Sequence, residues 1–258
     1  MKQKGSEKNV LQREDETLDE LFGGRLRILQ KKRGYRFSID AILLADFVRL
    51  KRSETVIDLG AGSGVITIVL ARRFPRSGRI VGLELQGQLA DMARRSVEVN
   101  RLEERIDILQ GDIRDVRTSL AAESFDVAVF NPPYRKAGSG RINPDEERAL
   151  ARHEIWGGAA DFLAASARLL KDGGRVYLIY PAKRMVEVLH RMHALHLEPK
   201  KLRIVYSRAS SEGDFILVEG LKGGGEELKV LPPLYIYGEK GIYSGEMKDI
   251  FNALSALS

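Results

Sequence analysis

The sequence predicts an α/β protein with a doubly wound, mostly parallel seven-stranded sheet, helices on both faces and an antiparallel carboxyl-terminal strand. From Thr55 onward, short runs rich in β-branched and aromatic residues alternate with stretches that repeat apolar residues every three or four positions. The short runs are typical of buried parallel strands, and the periodic stretches are typical of helices. Two more strand-like runs follow, and we expect them to pair antiparallel.

The core strands and helices can be placed along the chain in order. Five parallel strands are expected at Thr55–Leu59, Arg79–Leu83, Arg105–Gln110, Phe125–Phe130 and Arg175–Tyr180. Helices are expected at Val65–Phe74, Gln88–Asn100, Ala159–Leu170 and Lys183–Leu195. The last two strands are expected at Lys201–Tyr206 and Phe215–Glu219, joined by a turn at Ser207–Asp214.

A hairpin and a helix are expected before this core. Leu21–Phe37 resembles two short extended segments around a basic turn, and Ser38 can cap a helix from Ile39 to about Arg49. The length of 258 residues requires only one domain. We therefore expect a disordered polar tail (1–16) and a single domain (17–258), which divides into hairpin and helix (17–50), core (51–221) and carboxyl-terminal extension (222–258).

Composition excludes several classes of protein. Hydrophobic residues make up 43% and charged residues 30% of the chain, without a run of about eighteen apolar residues that could span a bilayer. The polar start lacks the apolar core of a secretory signal, which predicts a cytoplasmic protein. The absence of cysteine excludes disulfides and cysteine-ligated metals. His190, His193 and His196 share a helical spacing that favours a solvated helix face over a metal site.

The charge of the chain favours an anionic partner. A net charge of +6 and a pI near 9.4 can steer nucleic acid toward the surface. Residues 25–36 (RLRILQKKRGYR) carry six basic side chains and no acidic one. The candidate RNA contacts in this segment are Arg25, Lys31, Lys32 and Arg33. The alternative is a hairpin edge that its basic residues protect against aggregation.

A glycine-rich turn follows the first core strand. Residues 58–64 (DLGAGSG) lead directly into the first core helix. Glycine lacks a Cβ atom, so the chain can turn sharply and a ligand can lie against the backbone at the helix amino terminus. The cofactor contacts expected here are Asp58, Gly60, Ala61, Gly62 and Gly64.

Acidic residues also end the next two strands. Glu84, beside Leu85, stands where a carboxylate can accept both hydroxyl hydrogens of a ribose. Asp112 can accept a hydrogen bond from an adenine amine while Ile113 covers the ring, although Asp112 could equally cap a helix. Successive acids favour a cationic, adenosine-bearing ligand over phosphate-rich nucleotides, and no Walker sequence is present. S-adenosylmethionine has this chemistry.

The tetrapeptide Asn131-Pro132-Pro133-Tyr134 follows the fourth strand, at the sheet edge where such folds bind ligands. A conjugated amine is a poor nucleophile because its lone pair is delocalised. The Asn131 side-chain oxygen and the Pro132 carbonyl can accept its two N–H hydrogens and aim the lone pair at a methyl group. Pro133 adds rigidity, and Tyr134 offers a face on which an extruded base can stack.

These motifs resemble those of the Rossmann-like class I S-adenosylmethionine-dependent methyltransferases over about residues 37–180. The segment 36–45 (RFSIDAILLA), together with a carboxyl-terminal pattern, is similar to bacterial tRNA adenine-N6 methyltransferases that act on valine tRNA. In that family the segment packs over the methionine end of the cofactor, which makes Phe37 and Asp40 candidate contacts. This second likeness covers about residues 17–252.

The resemblance implies S-adenosylmethionine as cofactor and methyl transfer to the N6 amine of an adenine in tRNA or other structured RNA. The same tetrapeptide occurs in guanine-N2 ribosomal RNA enzymes, DNA amine methyltransferases and release-factor glutamine methyltransferases, which remain alternatives, as does a non-catalytic RNA-binding factor. Release-factor enzymes carry a helical domain ahead of the core, whereas only about 50 residues precede the first core strand here. The loop 135–154 is expected to be mobile and to order over RNA through Arg135, Lys136 and Arg141; the alternative is a surface loop without a role in binding.

Overall fold

A nine-stranded, mostly parallel sheet forms the centre of this computed structural model, which describes residues 11–33, 36–133 and 158–256. The strands are β1 (Glu16–Leu21), β2 (Leu26–Lys31), β3 (Val56–Leu59), β4 (Ile80–Glu84), β5 (Ile106–Gln110), β6 (Phe125–Phe130), β7 (Leu170–Pro181), β8 (Leu197–Tyr206), β9 (Gly213–Lys222), β10 (Lys229–Val230) and β11 (Leu234–Tyr235). The helices are α1 (Ile39–Phe47), α2 (Val65–Arg73), α3 (Gly87–Val99), α4 (Val116–Ser119), α5 (Ala159–Leu169), α6 (Met185–Ala194) and α7 (Gly245–Ser255). None of the helices in these ranges is long and apolar enough to cross a membrane.

The strand order confirms the predicted doubly wound α/β fold. The order is β10-β8-β9-β7-β6-β3-β4-β5, and β11 also pairs with β8. Strands β3 to β7 pair in parallel, whereas β9 runs antiparallel between β7 and β8. The seven expected strands are β3 to β9. The two-residue strands β10 and β11 are additional, and they are too short to produce a periodic sequence pattern.

Apolar side chains cover both faces of the sheet. In β6, Val127 and Val129 pack in one core with α1, α2, α3 and α7, while Ala128 and Phe130 pack in a second core with α4, α5 and α6. Side chains alternate between the faces of a strand, so a strand covered on both sides must be apolar at every position. This explains why the core strands are apolar at most of their positions in the sequence.

The amino-terminal hairpin lies earlier in the chain than the pattern of charges predicts. Strands β1 and β2 pair from Glu16↔Lys31 to Leu21↔Leu26, which places the turn at residues 22–25 rather than around the basic residues. Gly23 and Gly24 fix this turn with φ values of 66° and 81°, a region that glycine enters without strain. Glu16, assigned by its sequence to the tail, is buried in β1.

The contacts of Glu16 explain why the hairpin begins there. Its carboxylate accepts hydrogen bonds from the Arg95 guanidinium at 2.7 and 2.8 Å, and this interaction lowers the pKa of Glu16. Arg95 lies on α3, about eighty residues further along the chain. The partner of Glu16 is therefore remote in sequence, and no local pattern of charges could have revealed it.

Candidate active site

A cavity of about 560 Å³ opens at the carboxyl edge of β3, β4 and β6. Strand β3 begins the core and has β4 on one side and β6 on the other, so the cavity lies at the topological switch point of the sheet, where α/β folds bind ligands. The predicted residues that line it are Asp40, Gly60, Gly62, Glu84, Leu85, Ile113, Asn131, Pro132 and Pro133. Tyr134 lies outside the described residues.

The glycine turn is held against the end of β4. The backbone N–H groups of Gly60 and Ala61 donate to the Leu83 carbonyl at 2.8 and 3.1 Å. Gly60 has a φ of 72°, and a Cβ atom there would lie 3.0 Å from the Phe162 ring. Both the conformation and the lack of space therefore require glycine at position 60. Gly64 caps α2 behind the turn, outside the cavity lining.

Glu84 joins the glycine turn to the cavity wall. Its Oε2 accepts a hydrogen bond from the Gly62 N–H at 2.9 Å, and its Oε1 accepts one from the Gln86 N–H at 2.8 Å. The carboxylate is buried, and this burial raises its pKa. A carboxylate offers about four acceptor sites, so Glu84 retains acceptors for the hydroxyl groups of a ligand.

Asp58 lies behind the turn rather than in the cavity lining. It is fully buried, and its Oδ2 accepts a hydrogen bond from the Thr67 hydroxyl at 2.6 Å. Burial raises the pKa of Asp58 to about 7, while the hydrogen bonds with Thr67 oppose the shift. Asp58 was predicted to contact the ligand. In the structure its side chain points to the first turn of α2 and supports the glycine turn from behind.

The ionisation of Asp58 predicts a pH-dependent stability. Between its ordinary pKa of 3.8 and the folded value of about 7, the folded state keeps a proton that the unfolded chain has released. The free energy of unfolding should therefore fall as pH rises from about 4 to about 7, by on the order of 4 kcal/mol from this group. The Asp58→Asn variant should lack this part of the fall.

Urea denaturation of both proteins at pH 5 and pH 8 measures the effect. Asp249→Asn, at an exposed position of α7, is the matched control and should keep the wild-type pH dependence. An equal loss of stability in wild type and Asp58→Asn between the two pH values would contradict the assignment.

Asp112 has a partner that the sequence interpretation did not consider. Its Oδ1 accepts a hydrogen bond from the Arg114 N–H at 2.9 Å and thereby caps a short 3₁₀ turn at Ile113–Asp115. The Arg114 guanidinium also pairs with the carboxylate and lowers its pKa. The alternative interpretation as a cap therefore describes Asp112 here, while Ile113 faces the cavity.

The segment before α1 closes one side of the cavity. Asp40 is buried, lines the cavity and accepts a hydrogen bond from the Ala41 N–H at 2.9 Å. Phe37 is partly buried against the core, and its N–H donates to the Gln30 side chain at 3.0 Å; its contact with the cofactor stays a prediction. Arg36 lines the cavity and is anchored to the hairpin by the Lys31 carbonyl at 2.9 Å.

Two phenylalanines in the cavity wall were not predicted. Phe162 from α5 packs on Phe130 with ring centroids 5.4 Å apart, and Phe215 is the third residue of β9. Each belongs to a regular apolar pattern, so the sequence cannot distinguish it from an ordinary core residue. The close approach of Phe162 to Gly60 is a tertiary contact and leaves no local signal.

The predicted basic surface is only partly available. Arg25, Lys32 and Arg33 are exposed, but Lys31 pairs with Asp15 at 2.5 Å across the hairpin. Antiparallel pairing brings the acidic strand β1 beside the basic strand β2, which a count of charges over residues 25–36 misses. The other predicted RNA contacts, Arg135, Lys136 and Arg141, lie outside the described residues.

The histidines of α6 lie at an exposed end of the molecule. His193 Nδ1 is 2.8 Å from the Glu198 carboxylate, and both His190 and His193 are exposed. Across residues 11–33, 36–133 and 158–256, no three His, Asp or Glu side chains are grouped so that they could hold a metal ion.

Known proteins with a similar sequence are methyltransferases. The family model described as methyltransferase small domain matches residues 35–198. A tRNA1(Val) (adenine(37)-N6)-methyltransferase from Aeromonas hydrophila is 34% identical over 179 residues, which cover 69% of this chain and 73% of the relative. The protein with the same name from Aeromonas salmonicida is 33% identical over 205 residues, which cover 80% and 84%.

Solved structures show the same fold at lower identity. A predicted O-methyltransferase from Agrobacterium tumefaciens has a TM-score of 0.67 at 22% identity, covering 83% of this chain and 96% of that one. An S-adenosylmethionine-dependent methyltransferase from Aquifex aeolicus has a TM-score of 0.53 at 14% identity, covering 71% and 89%. The predicted Rossmann-like methyltransferase fold is confirmed. Because the family model matches more than half of its length, the chain belongs to the methyltransferase small domain family, and its cofactor is S-adenosylmethionine.

Proposed function

We propose that this protein transfers a methyl group to the exocyclic N6 amine of an adenine in tRNA. The observation that carries the proposal is that Asn131, Pro132 and Pro133 line the same cavity as the glycine turn and Glu84. The choice of adenine in tRNA is supported by relatives of that name that are 33–34% identical over most of the chain. Such a substrate agrees with the cytoplasmic location expected from the sequence.

The cavity wall fits the cofactor in its chemistry. Glu84 offers carboxylate oxygens to ribose hydroxyls, and Asp40 offers a second carboxylate suited to an ammonium group. Leu85 and Ile113 supply apolar surface for an adenine ring. Gly60 and Gly62 line the cavity without side chains, so a ligand can approach the backbone of the turn. When bound there, S-adenosylmethionine supplies an electrophilic methyl group on a sulfonium.

The residues after β6 are proposed to hold the amine. The Asn131 side-chain oxygen and the Pro132 carbonyl each accept one N–H hydrogen, which localises the nitrogen lone pair and fixes its direction. Pro132 and Pro133 have restricted φ angles, so these acceptors are rigid before the substrate arrives. Phe162 and Phe215 keep this part of the cavity apolar, which strengthens the hydrogen bonds. Tyr134 is proposed to stack on the adenine.

A labelling experiment tests the substrate class. The protein is incubated with methyl-labelled S-adenosylmethionine and, separately, with unmodified valine tRNA, the same tRNA carrying guanine at position 37, ribosomal RNA, DNA and a release factor. We expect N6-methyladenosine in digests of the first tRNA and no label in the variant, because the relatives are named for adenine 37.

The other arms separate the alternatives. Label in ribosomal RNA as N2-methylguanosine, in DNA or only in release factor would overturn the proposal in favour of the corresponding class. Label at a different adenine of the tRNA would support adenine in tRNA as the substrate but exclude position 37 as the methylated position.

A further inference from the structure

Four tyrosines lie together at the outer carboxyl edge of the sheet. Tyr206 ends β8 and packs on Tyr235 of β11, with ring centroids 5.6 Å apart. Tyr237 and Tyr243 stack nearly in parallel, with centroids 5.5 Å apart and planes 7° apart. Tyr235 and Tyr243 remain 37% and 40% exposed. We call these four residues the tyrosine edge. Tyr237 packs against the core and Tyr243 lies 5.2 Å from the Phe251 ring, whereas Tyr235 is partly exposed and belongs to neither core cluster.

The tyrosine edge adjoins the active-site cavity. Phe215 lines the cavity and pairs with Val205, the residue before Tyr206. Only β9 and β7 separate β8 from β6, the strand that Asn131 directly follows. With about 4.8 Å between neighbouring strands, β8 lies roughly 14 Å from β6 across the sheet. The register places Leu202 level with Phe130, so Tyr206 lies about 13 Å further along the strand and the two strand ends are roughly 19 Å apart. A nucleic acid whose target base enters the cavity can therefore reach the tyrosines with neighbouring nucleotides.

Cationic side chains flank the tyrosine edge. Arg208 follows Tyr206 in the β8–β9 turn, is exposed, and its guanidinium lies beside Gly241. Lys183 is exposed in the turn after β7. The preceding residue, Ala182, and the Tyr206 ring both lie close to Gly213, which places this turn beside the tyrosine edge. Aromatic faces bordered by arginine and lysine match the bases and phosphates of a single strand. The same turn also carries Glu212 and Asp214, and Asp214 accepts hydrogen bonds from the N–H and hydroxyl groups of Ser207. The net charge of +6 favours RNA over a second copy of this basic chain as the occupant.

We propose that the tyrosine edge binds unpaired nucleotides next to the methylated adenine, with Tyr235 stacking on a base and Arg208 contacting a phosphate. The proposal rests on the proposed function, because it takes the RNA substrate as given. It assigns binding of the RNA to this edge and leaves the methyl transfer itself to the cavity.

Tyr235→Ala tests the stacking contact. We expect about a tenfold rise in KM for tRNA, since one base–aromatic stack has roughly that effect on binding. The Kd for S-adenosylmethionine, measured by calorimetry, and kcat at saturating tRNA should stay unchanged. Tyr235→Phe should retain wild-type KM because it keeps the ring. Val230→Ala is the matched control: Val230 is 63% exposed on the same outer edge but pairs beside Leu202, four residues before Tyr206.

Arg208→Ala tests the phosphate contact through its salt dependence. The slope of log Kd for tRNA against log salt should fall by about one in this variant and stay unchanged in Tyr235→Ala. Wild-type KM in Tyr235→Ala, or an equal rise in Val230→Ala, would overturn the inference even if tRNA is methylated. Absence of methylation on any RNA by the wild type would instead refute the proposed function. A change from dimer to monomer in Tyr235→Ala by ultracentrifugation would assign the edge to self-association and likewise overturn the inference.

Discussion

Asn131→Ala is expected to lower kcat by at least about 100-fold, the size typical of removing one preorganised hydrogen-bonding group from an active site. Asn131 lines the cavity directly after β6, where its side-chain oxygen can accept a hydrogen of the substrate amine. Without that acceptor, the lone pair stays delocalised in the base and the amine is free to rotate away from the methyl group.

The measurement is the rate of methyl incorporation into tRNA at saturating cofactor. Affinity for S-adenosylmethionine and the thermal unfolding temperature should change little, because the glycine turn and Glu84 keep their contacts. Asn252→Ala, which removes an exposed asparagine from α7, is the control and should turn over at the wild-type rate. Turnover of Asn131→Ala within twofold of wild type would exclude the proposed role of the side chain.

The core of the fold and the cavity were predictable because their signals are local. Strand β6 is apolar at nearly every position since both faces of the sheet are covered, and the tetrapeptide that follows needs only its place after that strand. The glycine turn is similar: positive φ at Gly60, Gly62 and Gly64 follows from a sharp connection between β3 and α2. Such features depend on residues that are neighbours in sequence, so local sequence patterns predict them.

Features that depend on tertiary contacts were missed or misplaced. Lys31 is neutralised by Asp15 because the turn lies at Gly23 and Gly24, which shifts the pairing of the hairpin. Phe162 enters the cavity only because α5 packs over the glycine turn. The hydrogen bond from the Arg114 N–H gives Asp112 its capping role, and its contact with an adenine amine stays a prediction.

Glu84 contacts the glycine turn, which the sequence predicts, and Phe162, which the sequence does not predict, packs against the same turn. Its carboxylate binds the Gly62 and Gln86 N–H groups at the same time, so it orders the turn that Phe162 presses against and also faces the cavity. One side chain therefore fixes the backbone and presents acceptors to the ligand. The consequence is that even an isosteric change at Glu84 should impair cofactor binding.

Glu84→Gln is expected to raise the Kd for S-adenosylmethionine by about 100-fold. The glutamine amide keeps one acceptor oxygen, but its NH₂ group faces an N–H donor of Gly62 or Gln86, or a ribose hydroxyl, and cannot accept from it. At least one charge-assisted hydrogen bond is therefore lost, which is worth about 1.5–3 kcal/mol. Burial raises the pKa of Glu84, so wild-type affinity should also decline on acidification at a higher pH than for an ordinary glutamate, and this decline should be absent from the variant.

Calorimetric titration with S-adenosylmethionine from pH 5 to pH 8 measures both effects. Glu98→Gln, an exposed position of α3, controls for the loss of one negative charge and should bind like wild type. If Glu84→Gln binds S-adenosylmethionine with wild-type affinity and a wild-type pH profile, then Glu84 only stabilises the glycine turn, and other residues accept the hydrogen bonds of the ribose. If affinity falls while the profile persists, Glu84 binds the cofactor but is not the source of the pH dependence.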